Sequence, residues 1–336
     1  MVFRSRAGAV SDRRTAVITR LTEFLGIEHP ILLAPMAQVS GGRLAAAVTA
    51  AGGLGLIGGG YGNADWMRRE FDQAEATKVG CGFITWSLAR SPELLEQVLD
   101  RKPAVVMLSF GDLKPFAERI HAAGVPLIAQ VQNLDHARQA LDAGADIVAA
   151  QGGEAGGHGM TVRSTFTLVP DVADLVAGRS PGTLVVAAGG VADGRGLAAA
   201  LALGADGAVV GTRLWASREA LVSPRAQQRA IAASGDETFR TRVYDAVRQL
   251  DWPEDYNARA LGNAFLDTWH GNEYQLAQAL PEAVAAFEKA VAAEDFDTAA
   301  ILVGEAIGLV HDVRPAGDIV RDMARDAARI LGRAPR

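Results

Sequence analysis

The sequence predicts an α/β fold: a TIM-type (β/α)8 barrel with a helical subdomain on its C-terminal side. Three observations lead there. Eight short apolar runs recur between residues 31 and 210, and each is continuous rather than alternating. Segments of helical period lie between them. After Thr212 the rhythm stops, and a long Ala- and Glu-rich stretch replaces it. A strand covered by helices on both faces reads as a continuous apolar run, and eight such strands with interleaved helices make a closed parallel barrel. An open doubly wound sheet is the competing arrangement.

In chain order the strands are expected at 31–36, 54–57, 80–85, 104–108, 126–130, 147–150, 184–187 and 207–210. Helices are expected at 44–51, 64–76, 92–100, 113–123, 134–143, 169–176 and 195–203. Three of these end in a small-Gly turn: Ala123-Gly124, Ala143-Gly144 and Leu203-Gly204. Glycine is the residue that closes a helix in the left-handed conformation. The Gly53–Gly58 segment spells GxGxxG, but a helix precedes it and a strand runs through it. A dinucleotide fingerprint needs the opposite order, so this segment reads as a helix-to-strand turn. Residues 1–20 read as a solvated, flexible leader, with five arginines against Asp12. A transit peptide has a similar composition; a secretory signal would need an apolar core. The barrel is then placed at 21–215, the helical subdomain over its mouth at 216–312, and a C-terminal helix, read from the stretch Ile319–Leu331, packing back on the barrel at 313–336.

Composition narrows the function. The chain has 336 residues, 49% of them hydrophobic, and a net charge of −6. That is too apolar for disorder and offers no basic surface for nucleic acid or anionic lipid. No apolar run approaches the ~20 residues of a membrane span. Cys81 is the one cysteine. It rules out intrachain disulfides, fits the reducing cytoplasm, and reads as a packing residue within an apolar run.

The chemistry concentrates after the sixth run, in Gln151-Gly152-Gly153-Glu154-Ala155-Gly156-Gly157-His158-Gly159. This is the catalytic end of a barrel. Five glycines in eight positions imply close backbone approach or positive φ. His158 is the titratable base among them. The other five histidines, at 29, 121, 136, 270 and 311, read as surface or packing residues. Glu154 reads as a brace for the loop. Gly189-Gly190 after the seventh run and Gly211-Thr212 after the eighth form a second cluster. Barrels bind phosphate at these two neighbouring loops through backbone N–H groups. Ala34-Pro35-Met36 ends the first run, where Pro35 stops the ladder and frees backbone to meet a ring system. Metal-ligand clusters and metalloprotease, P-loop and serine-hydrolase motifs are missing from the sequence, so no metal is expected.

These residues resemble the nitronate monooxygenase family, once called 2-nitropropane dioxygenases, which are FMN-dependent barrels. The resemblance runs from about residue 20 through the insert. It rests on the 30–36 segment, on Gln151 to His158, on Ala188-Gly189-Gly190-Val191, and on Gly211-Thr212-Arg213. Arg259-Ala260-Leu261-Gly262-Asn263 and Trp269 belong to it as well. It implies oxidation of alkyl nitronates, and of nitroalkanes, with O2 to a carbonyl compound and nitrite. It makes His158 the catalytic base or substrate-positioning group. Gln151, Gly156 and Gly157 would meet the flavin, and Gly189, Gly190, Gly211 and Thr212 would hold its phosphate. The backbone of Ala34, Pro35 and Met36 would line its ring. Gln130, where some members have a cation, is counted with the cofactor residues. Thr85 stands near an Asn that many members carry, and Val209 where members often have Gln. The implied partners are a small nitronate and O2, with a homo-oligomer left open. The alternative is an FMN-dependent NAD(P)H reductase on the same barrel, of the enoyl-acyl-carrier-protein or quinone reductase type.

Overall fold

Side chains along each apolar run alternate between two buried environments. Leu32, Leu56, Met107, Ile128, Ile147 and Val186 turn inward and pack on one another. Their neighbours Ile31, Leu33, Ile57, Val106, Leu108 and Val148 turn outward and pack beneath helices. Both faces are therefore dry, which is why the runs read as continuous. The computed structural model describes residues 17–332. Its strands are β1 (Ile31–Leu33), β2 (Leu56–Gly58), β3 (Gly80–Ile84), β4 (Val106–Ser109), β5 (Leu127–Val131) and β6 (Ile147–Gln151), followed by β7 (Gly157–Gly159), β8 (Leu184–Ala188), β9 (Gly207–Val210), β10 (Thr238–Thr241) and β11 (Asn257–Leu261).

Eight strands form one sheet in the order β1-β9-β8-β6-β5-β4-β3-β2, with every pairing parallel. The sheet closes through a bridge between Leu32 and Leu54. There the Leu33 N–H donates to Leu54 O at 2.9 Å and the Leu54 N–H to Ile31 O at 3.0 Å. This is the (β/α)8 barrel the sequence predicts. Gly124, Gly144 and Gly204 all have positive φ, at +69°, +78° and +97°, and end their helices as expected. Cys81 is fully buried under the outer helices. Among the described residues no helix is long and apolar enough to cross a membrane.

Three local expectations change. Residues 1–16 of the expected leader lie outside the described residues. Thr19 and Arg20 belong to the barrel floor: Thr19 caps the helix Arg20–Leu25, and Arg20 donates to Pro181 O and Thr183 O, both at 2.9 Å. That helix drives Leu21, fully buried, into the bottom of the barrel interior. The helix expected at 169–176 spans Thr165–Arg179 and contains Pro170. Its start is fixed by the Glu154 carboxylate, which accepts from the Thr165 N–H at 2.9 and 3.1 Å. A cap from eleven residues upstream leaves no local signature.

The third change lies in the 216–312 region, which holds strands as well as helices. β10 and β11 join β7 in an antiparallel sheet of order β10-β11-β7. His158 pairs with Ala258, and Gly157 with Arg259. The glycine loop after β6 is thus built into the insert's own sheet. The rest of the insert includes helices Pro224–Ile231, Val243–Val247 and Leu280–Ala293. The terminal helix Ala316–Leu331 packs back on helices Gly42–Ala50 and Gly194–Ala202.

Candidate active site

A cavity of about 530 Å³ opens at the carboxyl ends of the barrel strands, between them and the insert. It brings together the residues expected to act in catalysis or hold the cofactor: Ala34, Pro35, Met36, Gln130, Gln151, Gly156, Gly157, His158, Gly189, Gly190, Gly211 and Thr212. Thr85 is not among the lining residues. It starts the short helix Thr85–Leu88 and is buried behind Ile84, whose chain does reach the cavity.

His158 sits on β7 and is 8% exposed. Its Nε2 lies 2.8 Å from Asp245 Oδ1, and Asp245 is itself 3% exposed. The imidazole lies flat on Trp252, with ring centroids 3.5 Å apart and planes 6° from parallel. Asp245 and Trp252 both come from the insert. Burial holds the His158 pKa below its ordinary value of 6.5, although Asp245 pulls it upward. The ring is therefore neutral at pH 7, and with Nε2–H donated to Asp245, Nδ1 carries the lone pair. Nδ1 makes no hydrogen bond to protein among the described residues. A neutral imidazole whose far nitrogen is held by a buried carboxylate is equipped to take up a proton and keep it.

Gln151 supports this ring from behind. Its Nε2 donates to the His158 carbonyl at 3.2 Å, and its Oε1 accepts from Gln130 and Gln132, both at 3.0 Å. Two guanidinium groups hold the rest of the loop. Arg240 donates to the carbonyls of Gly153, Ala155, Gly159 and Asn257. Arg259 donates to Gly153 O and pairs with Glu305 at 2.9 Å. Burial and the neighbouring Arg259 bring the Arg240 pKa down to about 10, which still leaves it charged.

The glycines of this loop divide in purpose. A Cβ on Gly152 would fall 2.2 Å from the Thr165 nitrogen, and one on Gly156 would fall 2.4 Å from the Gly304 nitrogen. Both positions are glycine because the protein's own backbone crosses there. The close approach expected there is to the protein's own backbone rather than to a ligand, while Gly157 takes the positive φ, +67°, that the sequence reading also offered. Gly189 and Gly190 differ: they turn through positive φ, at +96° and +76°, at the end of β8. Among the described residues the N–H groups of Gly190, Gly211 and Thr212 donate to no protein acceptor. Helix Gly194–Ala202 is capped by its own Asp193, so its N-terminus is taken. The Thr212 hydroxyl accepts from the Gly304 N–H at 2.9 Å and keeps its proton free to donate. Free N–H groups and a hydroxyl converging from two adjacent strand ends suit a phosphate group.

An aromatic wall faces His158. Tyr61, Trp86, Phe110, Trp252 and Tyr256 pack edge to face or tilted, with centroids 5.1–6.3 Å apart. Phe110 has a φ of +68°, a strained value for an aromatic residue. The sequence reading singled out His158, Gln151 and the glycines and missed Asp245, Trp252, Tyr61 and Arg240. A local signal could not have found them, because each reaches the site from more than 80 residues away or from another barrel loop.

A closed parallel barrel with its cavity at the carboxyl strand ends, a buried His–Asp pair and glycine turns with unengaged N–H groups defines an α/β-barrel enzyme. The chain belongs to the nitronate monooxygenase family, whose model matches residues 18–80 and 87–326, and it is an oxidoreductase. It is 31% identical to a nitronate monooxygenase of Neurospora crassa, aligned over 97% of both chains. It is 36% identical to a hydroxy-methyl-oxo-octahydroindene carboxyl-CoA dehydrogenase of Mycobacterium tuberculosis, over 68% of this chain and 64% of that one. FabK from Thermotoga maritima superposes with a TM-score of 0.80 at 33% identity, covering 94% of this chain and 97% of its own.

Proposed function

We propose that this protein oxidises alkyl nitronates with O2, giving a carbonyl compound and nitrite, with FMN as its cofactor. The observation that carries the proposal is the pairing of His158 with Asp245 on one side of the cavity and the glycine cradle on the other. The residues fit FMN. Gly190, Gly211 and Thr212 offer unengaged donors for a single phosphate, and Gly189-Gly190 keep that approach clear of side chains. Ala34, Pro35 and Met36 line the same cavity at the end of β1. When bound, FMN supplies the electron-accepting centre and the reactivity toward O2.

The protein's residues do the rest. His158 Nδ1 accepts the α-proton of a neutral nitroalkane, and Asp245 stabilises the imidazolium that results. With a preformed nitronate no proton needs to move, and His158 then orients the anion. Trp252 and the aromatic wall exclude water from the reacting carbon. The test is a visible spectrum of the purified protein, cofactor identification after heat release, and oxygen uptake with nitronate. Yellow protein releasing FMN and consuming oxygen supports the reading; FAD, or no uptake with any nitronate, rejects it.

The similarity to a carboxyl-CoA dehydrogenase favours a second reading, an NAD(P)H-dependent reductase on the same barrel. Rapid anaerobic bleaching by NADH or NADPH, without nitronate turnover, selects it.

A further inference from the structure

Acidic and basic side chains are scarce around the cavity: among the described residues Glu154, the neutral His158, Arg248 and Glu294 line it. Glu154 is engaged with the Thr165 N–H. Arg248, directly after the helix Val243–Val247, is the single Arg or Lys among the lining residues. It is half-buried, and its guanidinium lies over the Tyr61 ring, 5.6 Å from the centroid. Among the described residues it makes no ion pair, and its protein partner is the neutral Tyr61, whose hydroxyl it reaches as a hydrogen-bond donor. The other arginines near the site differ in this respect. Arg240 is spent on loop carbonyls, Arg259 on Glu305, and Arg213 on Asp312. The acids nearest in sequence, each three residues away, are Asp245, whose Oδ1 is held by His158, and Asp251, which pairs with Arg90 at 2.7 Å.

A guanidinium held at a cavity wall with no anion of its own is suited to a planar anion with two oxygens, which it can bind through two parallel N–H donors. Its position fits that purpose. Arg248 is close enough to His158 for its charge to act on the ring, and Tyr61, under the guanidinium, accepts from the Trp252 indole N–H at 3.2 Å. The stack His158–Trp252 and the pair Tyr61–Arg248 therefore border one compartment.

We infer that Arg248 is the specificity-determining residue of this site and holds the planar anionic head of the substrate beside His158. The inference rests on the proposed oxidation of small organic anions, and it names the group that selects them. A neutral substrate of the same shape leaves the guanidinium desolvated and unpaired, which disfavours it.

The test uses the flavin-loaded protein and two probes: nitrate, a planar anion that cannot react, and an alkyl nitronate. Arg248→Met and Arg248→Lys are compared with the parent. Calorimetric titration should detect nitrate binding to the parent, weaker binding to Arg248→Lys and none to Arg248→Met. Loss of a charge-assisted contact should raise the nitronate KM about 10- to 100-fold in Arg248→Met, with kcat and flavin content little changed. Arg248→Lys, which keeps the charge but not the planar fork, should fall between. Unchanged nitronate KM in Arg248→Met, or nitrate binding that survives the substitution, overturns the inference. The titration also separates it from the function itself. A parent that binds nitrate through Arg248 but consumes no oxygen with nitronate keeps this inference and rejects the oxidase reading.

Discussion

His158 is informative because its two nitrogens have different neighbours. Nε2 is bound to a buried carboxylate and Nδ1 is left to the cavity. Removing the ring in His158→Ala should cost about 10²–10⁴ in rate on neutral nitroalkane, where a C–H proton must be taken. The loss should be smaller on preformed nitronate, and flavin content should stay near that of the parent, since the donors proposed for the flavin phosphate lie on other strands. Oxygen consumption with both substrate forms measures the ratio; equal activity of variant and parent on both would make His158 structural. The direction of its pKa sets the pH profile. The base form must be neutral, and burial keeps the pKa below 6.5, so activity on neutral nitroalkane should hold through pH 7 and fall only at more acidic pH. Asp245→Asn removes the influence that raises this pKa and the partner that fixes the tautomer. The acid limb should move to still lower pH while the plateau drops by about 10²-fold or more. A plateau that stays at the parent level would leave Asp245 with no part in proton transfer.

At the scale of elements, the site is a joint between the barrel and its insert. β7 belongs to the loop after β6, yet it pairs with β11 of the insert and is held by Arg240 from β10. The cradle belongs to the barrel alone, in the turns after β8 and β9. This separation allows cofactor retention to be tested without touching the chemistry. Gly190→Asp places a carboxylate where phosphate is proposed to bind, close to Glu154, whose Cγ would lie 3.3 Å from the new Cβ. Like charges ~4 Å apart repel by about 1 kcal/mol even in water. Positive φ adds about 1–2 kcal/mol of backbone strain. The variant should lose its flavin on desalting and melt a few degrees lower. Full flavin content after gel filtration would make Gly190 a turn residue only.

For the whole molecule, the terminal helix Ala316–Leu331 closes the hydrophobic shell. Ile319, Val320 and Met323 are at most 3% exposed, and Gly194 leaves no room for a Cβ against Asp326, which would lie 2.5 Å away. Burying three such side chains is worth about 5–9 kcal/mol, a large share of a typical stability of about 5–15 kcal/mol. Truncation before residue 316 should therefore give aggregated or unfolded protein, checked by circular dichroism and gel filtration; a folded, monomeric product would refute it. The barrel was legible in the sequence because its signals are local: runs such as 147–150, buried on both faces, helix-ending glycines at 124, 144 and 204, and a glycine-rich loop around one histidine. These repeat at fixed spacing and need no knowledge of the partner. What surrounds the histidine was not legible. Asp245 lies 87 residues away, β10 and β11 look like ordinary parts of an Ala-rich stretch, and Gly156 is explained by Gly304 rather than by any ligand. Periodicity determined the scaffold. Only folding decided which carboxylate, which indole and which backbone would meet His158, because contacts between distant segments leave no period in the chain.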